Sequence, residues 1–386
     1  MAEWIGIGKR ARRCYGFDEI ALAPGRITIN PEEVGVSWEF NGKAFAVPIF
    51  AAAMDGVADV KFAVEMSRLG GIAAVNLDGV QTRYDNPSEV LSEIAKATPE
   101  EATNLIQKLY TKPIKEELVA KRVEEIKKAG GYAAVSCIPQ NAAKFAPLAE
   151  NAGADCFIIQ STVTTAKHIA SLYKPLDLYK FCQERKIPVI LGNCVTYEVT
   201  LELFETGCSG VLVGVGPGAA CTTRGVLGIG VPQVTATIDC AGARDFYFQK
   251  TGKYIPIITD GGMSKGGDIC RAFACGADAV MIGSAFARAK EAPGGGFHWG
   301  MATSHGNLPR GTRIKVGVTG SLEQILFGPA AVDDGSQNLM GALTTSMGSL
   351  GAKTLKEMRF VEIIIAPSIQ TEGKVFQTAQ RVGMGK

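Results

Sequence analysis

Short apolar runs recur along the chain, and each one is followed by a loop and then by a segment with helical spacing. Apolar runs of this length, bounded by glycine, proline or polar residues, are typical of short buried strands. The pattern predicts eight strands, at residues 45–52, 72–75, 133–136, 156–159, 188–191, 210–213, 256–259 and 279–282. The amphipathic segments between them predict helices at residues 61–69, 115–129, 141–151, 177–185, 197–206 and 267–275.

Strands that alternate with helices pair in parallel, and eight strands close a (β/α)8 barrel. Three predicted helices end in a glycine that leads directly into the next strand, at Gly153, Gly207 and Gly276, as expected for the connections of such a fold. A doubly wound open sheet is the structural alternative. It should carry G-x-G-x-x-G after its first strand, whereas the chain reads A-A-A-M-D-G-V at residues 51–57. The pattern therefore favours an α/β fold of the TIM-barrel type.

Two segments lie outside the alternating pattern. Residues 77–130 hold a charged helical stretch between the second and third strands, and residues 291–350 begin with a glycine- and proline-rich run after the eighth strand. A long loop at the ligand-binding end of a barrel is often a lid. We therefore predict a single catalytic domain over residues 1–386, with a helical excursion at 77–130 and a lid and C-terminal extension at 291–350.

Composition excludes several classes of protein. The 386 residues are 46% hydrophobic and 20% charged with a formal net charge of +2, which gives no support for nucleic-acid or acidic-membrane binding. No apolar run approaches the ~20 residues that span a bilayer, and the first residues do not resemble a secretory signal. The ten cysteines form no C-x-x-C pair, and there are only three histidines, so we predict no structural zinc site and a reducing, cytoplasmic location.

The sequence G-V-G-P-G-A-A-C-T-T at residues 214–223 follows the sixth predicted strand. Its glycines let the backbone turn inward, and it delivers Cys221 beside two hydroxyl groups and Arg224. A thiol on a flexible loop next to a positive charge has the features of a nucleophile, because nearby cations favour the thiolate. The alternative is a small buried hydrophobic residue beside a turn.

Glycine pairs also follow the seventh and eighth predicted strands. Gly261 and Gly262 come after Asp260, and Gly283 comes before Ser284. Backbone N–H groups of adjacent loops, backed by a helix N-terminus, form the phosphate site of many TIM barrels. We therefore predict a phosphate site here, with Asp260 accepting hydrogen bonds from ribose hydroxyls. At the ends of other strands, Asn193 is a candidate support, and Met54 is either core or an apolar platform beneath a purine.

These residues resemble the IMP dehydrogenase / GMP reductase family over nearly the whole chain. The resemblance lies in residues 15–24, 48–58, 68–72, 216–224, 228–236, 260–262, 281–284, 341–355 and 370–374. Of these, G-P-G-A-A-C-T-T-R at 216–224 is the most specific. The resemblance implies that Cys221 attacks C2 of the purine ring of IMP, that Thr223 positions the reacting groups, and that hydride passes to or from a nicotinamide.

The resemblance implies further site residues. Substrate would contact Met54, Asn193, Asp260, Gly261, Gly262, Gly283, Ser284, Gly300 and Met301, and NAD would contact Gln160, Ser161, Thr162, Gly214 and Gly216. Potassium would be held by carbonyls of Gly216, Gly218 and Cys221 with Glu372, Gly373 and Lys374 of a neighbouring subunit. The family's usual assembly is a square homotetramer, from which octamers can form.

The chain also departs from the family pattern. Residues 77–130 are too few to hold the CBS module pair, Gln160 stands where the family carries an Asp, and the Arg-Tyr pair that activates water is absent. His305 and Arg310, with Arg313 nearby, are the candidate substitutes. We predict an IMP dehydrogenase. The alternatives are a GMP reductase, which also lacks CBS modules, and a non-catalytic purine-nucleotide-binding relative.

Overall fold

A closed barrel of eight parallel strands forms the centre of the molecule. The computed structural model describes residues 2–300 and 312–385. In chain order the barrel strands are Ile49–Ala51, Ile72–Asn76, Ala134–Cys137, Cys156–Gln160, Val189–Cys194, Gly210–Val213, Ile257–Asp260 and Ala279–Ile282. Each strand pairs with the next, and the eighth pairs with the first through Val280 opposite Ile49. The predicted TIM-barrel fold is confirmed.

Helices surround the barrel and extend its ends. The α-helices are Val60–Arg68, Val80–Arg83, Pro87–Lys96, Pro99–Leu109, Glu116–Lys128, Pro139–Asn151, Leu178–Glu184, Tyr197–Glu205, Thr223–Leu227, Gln233–Thr251, Gly266–Ala274, Leu322–Phe327, Leu339–Leu350 and Val375–Gln380. Short 3-10 turns lie at Phe17–Glu19, Pro31–Glu33, Phe286–Arg288, Glu357–Phe360 and Gly383–Gly385. No helix within the described ranges is both long and apolar enough to cross a membrane.

The remaining strands form antiparallel pairs outside the barrel. They join Ala2–Gly6 to Lys9–Arg12, Trp38–Phe40 to Lys43–Phe45, Ile20–Leu22 to Ile363–Ile365, and Phe297–Trp299 to Arg313–Lys315. The second pair explains why the first barrel strand is shorter than predicted. Phe45 belongs to that hairpin, and the strand of the barrel begins only at Ile49.

Most predicted elements match the structure to within a few residues because their apolar positions face the core. The three glycines predicted to join helices to strands have positive φ values of 91°, 84° and 101° at Gly153, Gly207 and Gly276, a conformation that favours glycine. The helix Gln233–Thr251 was not predicted. It lacks a clear apolar stripe because its buried face includes small and polar residues, and even Arg244 is buried there.

The helical excursion packs against the strand pair Phe297–Trp299 and Arg313–Lys315, which we name the outer strand pair. A separate apolar cluster joins Val90, Leu91 and Ile94 of the excursion to Tyr110 and Trp299. The segment that follows the eighth barrel strand is therefore held by the segment that follows the second.

Arg313 strengthens this contact. Its guanidinium donates to the carbonyl groups of Ile94, Ala95 and Ala97 at the C-terminal end of Pro87–Lys96, and lies 4.3 Å from the ring centre of Phe297. A cation at a helix C-terminus satisfies carbonyl groups that have no partner within the helix. Arg313 is therefore engaged away from the cavity, which argues against the role in water activation considered for it above.

Replacing Arg313 with alanine is expected to lower the free energy of unfolding by about 1–3 kcal/mol, because partly buried carbonyl groups lose a charged donor. Urea titration followed by circular dichroism measures the change. Lys315→Ala in the same strand is the control and should stay within about 0.5 kcal/mol of wild type, since its side chain is exposed. Equal losses in the two variants would contradict the assigned role of Arg313.

Candidate active site

One cavity of about 720 Å³ opens at the carboxyl ends of the barrel strands. The predicted residues that line it are Met54, Gln160, Ser161, Thr162, Asn193, Gly214, Gly216, Gly218, Cys221, Thr223, Asp260, Gly261, Gly262, Gly283, Ser284 and Gly300. Residues far apart in the chain meet here because loops after parallel barrel strands converge at one end. The volume lies in the upper part of the usual range for ligand pockets.

Cys221 is exposed, in contrast to most of the other cysteines. It sits in the loop after the sixth barrel strand, where its backbone N–H donates to the carbonyl of Gly218 at 2.9 Å. Its Sγ lies 3.2 Å from Oγ1 of Thr223, the first residue of Thr223–Leu227. The thiol therefore faces the cavity with a hydroxyl group beside it, and the alternative of a buried hydrophobic residue is wrong.

Arg224 has a different role from the one expected next to the thiol. Its Nη2 donates to the carbonyl of Val231 at 2.8 Å, and its side chain lies against Gly216 and Gly230. A Cβ on either glycine would approach that side chain within 3 Å. The guanidinium therefore holds the loop that carries Cys221 against the segment after it.

The loops after the sixth and seventh strands are in direct contact. Gly214 has a φ of 153°, and a Cβ there would lie 2.2 Å from the carbonyl oxygen of Asp260, so only glycine fits. Gly261 and Gly262 both have positive φ and pack against Pro217. This close packing sets the position of the thiol loop relative to the Asp260 strand end.

Asp260 links three strand ends through one carboxylate oxygen. Its Oδ2 accepts hydrogen bonds from Nε2 of Gln160 at 3.0 Å and Nδ2 of Asn193 at 2.8 Å. Burial raises the pKa of Asp260 to about 6, and the two amide hydrogen bonds oppose the shift. Gln160 and Asn193 thus orient Asp260, so the side-chain amide that was predicted to face NAD is engaged with the carboxylate.

Free backbone donors lie at the ends of the seventh and eighth strands. Gly261 N–H donates to the carbonyl of Met281 at 3.1 Å, which joins the two loops. Among the described residues, the N–H groups of Gly262, Gly283 and Ser284 have no protein acceptor. Unpaired donors that face a cavity suit an anion.

The helix Gly266–Ala274 begins after the loop of the seventh strand, and the backbone N–H of its first residue donates to the carbonyl of Gly335 at 2.9 Å. The first N–H groups before Gly266–Ala274 are already occupied, because Ser264 and Lys265 donate to the carboxylate of Asp268. The eighth strand is followed only by the 3-10 turn Phe286–Arg288.

Met54 lies against Gly283, where an added Cβ would meet its Sδ at 2.9 Å. It is half-buried and lines the cavity, which agrees with the apolar-platform interpretation. Ser161 is less available than predicted, because its hydroxyl donates to the carbonyl of Val163 at 2.8 Å and contacts Thr164.

The predicted residues outside this cavity fall into two groups. Glu372 and Gly373 lie in an exposed turn of the C-terminal segment, the half-buried Lys374 directly precedes the helix Val375–Gln380, and none of the three lines the cavity of its own chain. The predictions for Met301, His305 and Arg310 fall outside the described residues.

His298 was not predicted from the sequence, and it lines the cavity from the outer strand pair. Its Nε2 lies 3.1 Å from Oγ of Ser284, and burial lowers its pKa to about 4. A histidine two residues before Gly300, near the start of the predicted lid, was the signal that could have found it.

A buried network behind the cavity was also missed. Tyr110 donates to Asp55, and Trp299 Nε1 donates to the Tyr110 hydroxyl at 2.8 Å. Burial raises the pKa of Asp55 to about 6. Asp55 therefore supports the cavity wall and ties the first barrel loop to the outer strand pair.

The fold and the cavity define a TIM-barrel protein with an exposed thiol among the loops at its strand ends. Residues 14–375 match the model of the IMP dehydrogenase / GMP reductase domain, and the chain belongs to this family.

Similar sequences and a similar crystal structure support membership of this family. A Mycolicibacterium smegmatis protein described as an uncharacterized oxidoreductase is 37% identical, over 94% of this chain and 99% of that protein. Inosine-5'-monophosphate dehydrogenase of Cryptosporidium parvum is 31% identical over 89% of each chain. The crystal structure of an IMP dehydrogenase/GMP reductase-like protein from Corynebacterium glutamicum is 34% identical with a TM-score of 0.90, covering 94% of this chain and 97% of that one.

The raised pKa of Asp260 predicts a pH dependence of stability. A carboxyl whose pKa is about 6 in the folded state and near 3.8 when unfolded binds its proton more tightly in the folded state. Stability therefore falls as pH rises from about 4 to 6. Asp260→Asn should lack this contribution, so wild type should lose stability relative to the variant across this range.

Thermal unfolding of both proteins at several pH values measures this difference, and the contribution of Asp55 cancels in the comparison. A difference between the proteins that does not change with pH would contradict the assigned pKa.

Proposed function

We propose that this protein is an IMP dehydrogenase, which oxidises IMP to XMP with NAD. The observation that carries the proposal is an exposed thiol, Cys221, in the same cavity as the unpaired backbone donors of the seventh and eighth strand ends. Membership of the family supports an oxidoreductase, and relatives bearing the dehydrogenase name support this direction of reaction.

The phosphate of IMP would lie at the N–H groups of Gly262, Gly283 and Ser284. Oδ1 of Asp260 remains available for a ribose hydroxyl, because Oδ2 already accepts both amides. Met54 beside Gly283 would then lie beneath the purine. This arrangement brings the reacting carbon of the ring toward the loop of Cys221.

The chemistry proceeds in two steps. The Cys221 thiolate forms a bond to C2 of IMP, and the hydrogen at C2 leaves as hydride, which gives a thioimidate on the enzyme. Water then adds to the same carbon, the carbon–sulfur bond breaks, and XMP leaves with the thiol restored. Covalent attachment divides one difficult step into two easier ones. The Thr223 hydroxyl, at 3.2 Å from the sulfur, would orient the thiol.

NAD would supply the hydride acceptor, and the cavity is large enough to take a nicotinamide beside the nucleotide. Thr162 and the part of the Gln160 side chain that is not bonded to Asp260 would contact the nicotinamide.

For potassium, the carbonyl groups of Gly216, Gly218 and Cys221 are the hard oxygen ligands that such an ion prefers, although Gly218 already accepts a hydrogen bond from Cys221. The described residues hold no cluster of three or more His, Cys, Asp or Glu side chains, so carbonyl ligation is the mode that fits.

A homotetramer, which can stack into an octamer, is part of the proposal. The N-terminal hairpin exposes Trp4 and Ile5, and the C-terminal segment exposes Val375 and Phe376. Exposed apolar residues at both ends of the chain support self-association, and Glu372 of a neighbouring subunit would then reach the potassium site. Cytoplasmic location completes the proposal and rests on the cysteine pattern and the family.

GMP reductase, with NADPH as the reductant, is the second candidate. The observation in its favour is the compact helical excursion at Val80–Arg83 through Glu116–Lys128, which leaves no room for CBS modules. A non-catalytic nucleotide-binding protein is less well supported, since binding alone requires no exposed thiol at the cavity.

Purified protein given IMP, NAD and potassium should show rising absorbance of reduced nicotinamide. With GMP and NADPH the absorbance should stay constant. A fall in the second mixture, with no change in the first, would establish the reductase instead.

Cys221→Ala should abolish turnover while IMP binding stays within about tenfold of wild type, because the thiol acts mainly on the transition state. Cys182→Ala is the matched control, since its thiol lies in the outer helix Leu178–Glu184, and it should retain wild-type rates. Turnover near the wild-type rate in Cys221→Ala would refute the mechanism.

A further inference from the structure

The cavity offers a phosphate no permanent positive charge from the described residues. None of its described lining residues is a lysine or an arginine, and the titratable side chains among them are Cys221, Asp260 and His298. A phosphate monoester carries about −1.5 to −2 charges near neutral pH, and Asp260 adds a negative charge when it ionises. His298 is therefore the one described lining residue that can become a cation.

His298 is placed to meet an anion at the eighth strand end. It is 1% exposed, its Nε2 lies 3.1 Å from Oγ of Ser284, and its Nδ1 is buried without a partner. Buried polar atoms normally have a hydrogen-bond partner. The N–H groups of Gly283 and Ser284 beside it are likewise unpaired among the described residues. A buried ring nitrogen without a partner and two unpaired N–H groups at the same strand end indicate a ligand that forms hydrogen bonds there.

The elements packed around His298 present no charged side chain to it in the described structure. Ile314 lies opposite it on the outer strand pair, and Gly56 lies against its backbone. The neighbouring carboxylate of Asp55 is turned toward Val80 and Tyr110. Burial alone lowers the pKa of His298 to about 4, so the ring is neutral in the free protein at physiological pH.

We infer that His298 takes up a proton when a phosphate monoester binds beside Ser284, and that it thereby makes substrate binding tighter as pH falls. The inference deepens the proposed function, since it concerns the same cavity. A dianion within hydrogen-bonding distance favours the charged imidazole and raises its pKa. Once charged, both ring nitrogens donate, and the Ser284 hydroxyl is free to donate to the phosphate.

The direction of the pH effect follows from linkage. A group that is neutral in the free protein and protonated in the complex binds one proton together with the ligand. Affinity then falls as pH rises through the pKa of His298 in the complex. Ionisation of Asp260 and of the phosphate itself also affects affinity, but both are present in wild type and in a His298 variant, so the comparison isolates the histidine.

Titration calorimetry in two buffers of different ionisation enthalpy counts the protons taken up on binding. The ligands are IMP, inosine and inorganic phosphate, and the proteins are wild type, His298→Gln and, as the matched control, His168→Gln on an exposed loop. Glutamine keeps a hydrogen bond to Ser284 but cannot become charged. Circular dichroism checks the fold of each variant.

Wild type and His168→Gln should take up a proton with IMP and with inorganic phosphate, but not with inosine. His298→Gln should take up fewer protons, and the ratio of wild-type to variant affinity for IMP should be about tenfold larger at pH 6 than at pH 8.

Equal proton uptake in wild type and His298→Gln would overturn the inference. So would an equal effect of His298→Gln on the proton uptake that accompanies inosine binding. If His298→Gln fails to fold, His298→Asn gives the same comparison with wild type, because asparagine also cannot become charged, and equal uptake in that pair refutes the inference.

The proposed function and the inference about His298 can be refuted independently of each other. Binding of IMP without turnover would refute the dehydrogenase while leaving the proton uptake intact. Turnover without proton uptake that depends on His298 would refute the inference about His298 while leaving the dehydrogenase proposal intact.

Discussion

Pairing of the eighth barrel strand with the first is the constraint on which the rest of the molecule depends. The register that sets Met281 opposite Phe50, continued by the hydrogen bond from Ala52 N–H to the carbonyl of Ile282, closes a sheet that would otherwise have two open edges. Closure brings every loop at the carboxyl ends around one opening. Without it, Cys221 and Ser284 would have no common cavity.

Packing between loops then determines the geometry of that cavity more than the strands do. Gly214 passes so close to Asp260 that no side chain fits, and Pro217 rests on Gly261 and Gly262. Asp260 in turn accepts from both Gln160 and Asn193. The result is a mouth in which several polar groups hold one another in place. Among the described residues, the unpaired N–H groups of Gly283 and Ser284 lie at the eighth strand end, next to the buried ring of His298.

The outer strand pair connects this mouth to the helical excursion. Trp299 bonds to Tyr110, Tyr110 bonds to Asp55, and Arg313 binds the carbonyl end of Pro87–Lys96. The segment that stands where the family usually carries regulatory modules is thus a structural support for residues that line the cavity. His298 is next to Trp299 in the same strand and opposite Ile314, so the anchored strand pair holds its imidazole in a buried position with one nitrogen unpaired.

Local pattern in the sequence determined the barrel, because buried strands such as Gly210–Val213 and glycine-ended helices leave a strong periodic signal that needs no long-range information. It also identified Cys221, whose glycine-rich loop is a contiguous motif. Tertiary structure alone decided the partners of Gln160, Arg224 and Arg313, each of which bonds to groups distant in the chain or turned away from the expected site. The helix Gln233–Thr251 and His298 were missed for the same physical reason: their environment is created by neighbouring elements, and neither leaves a periodic mark in its own segment.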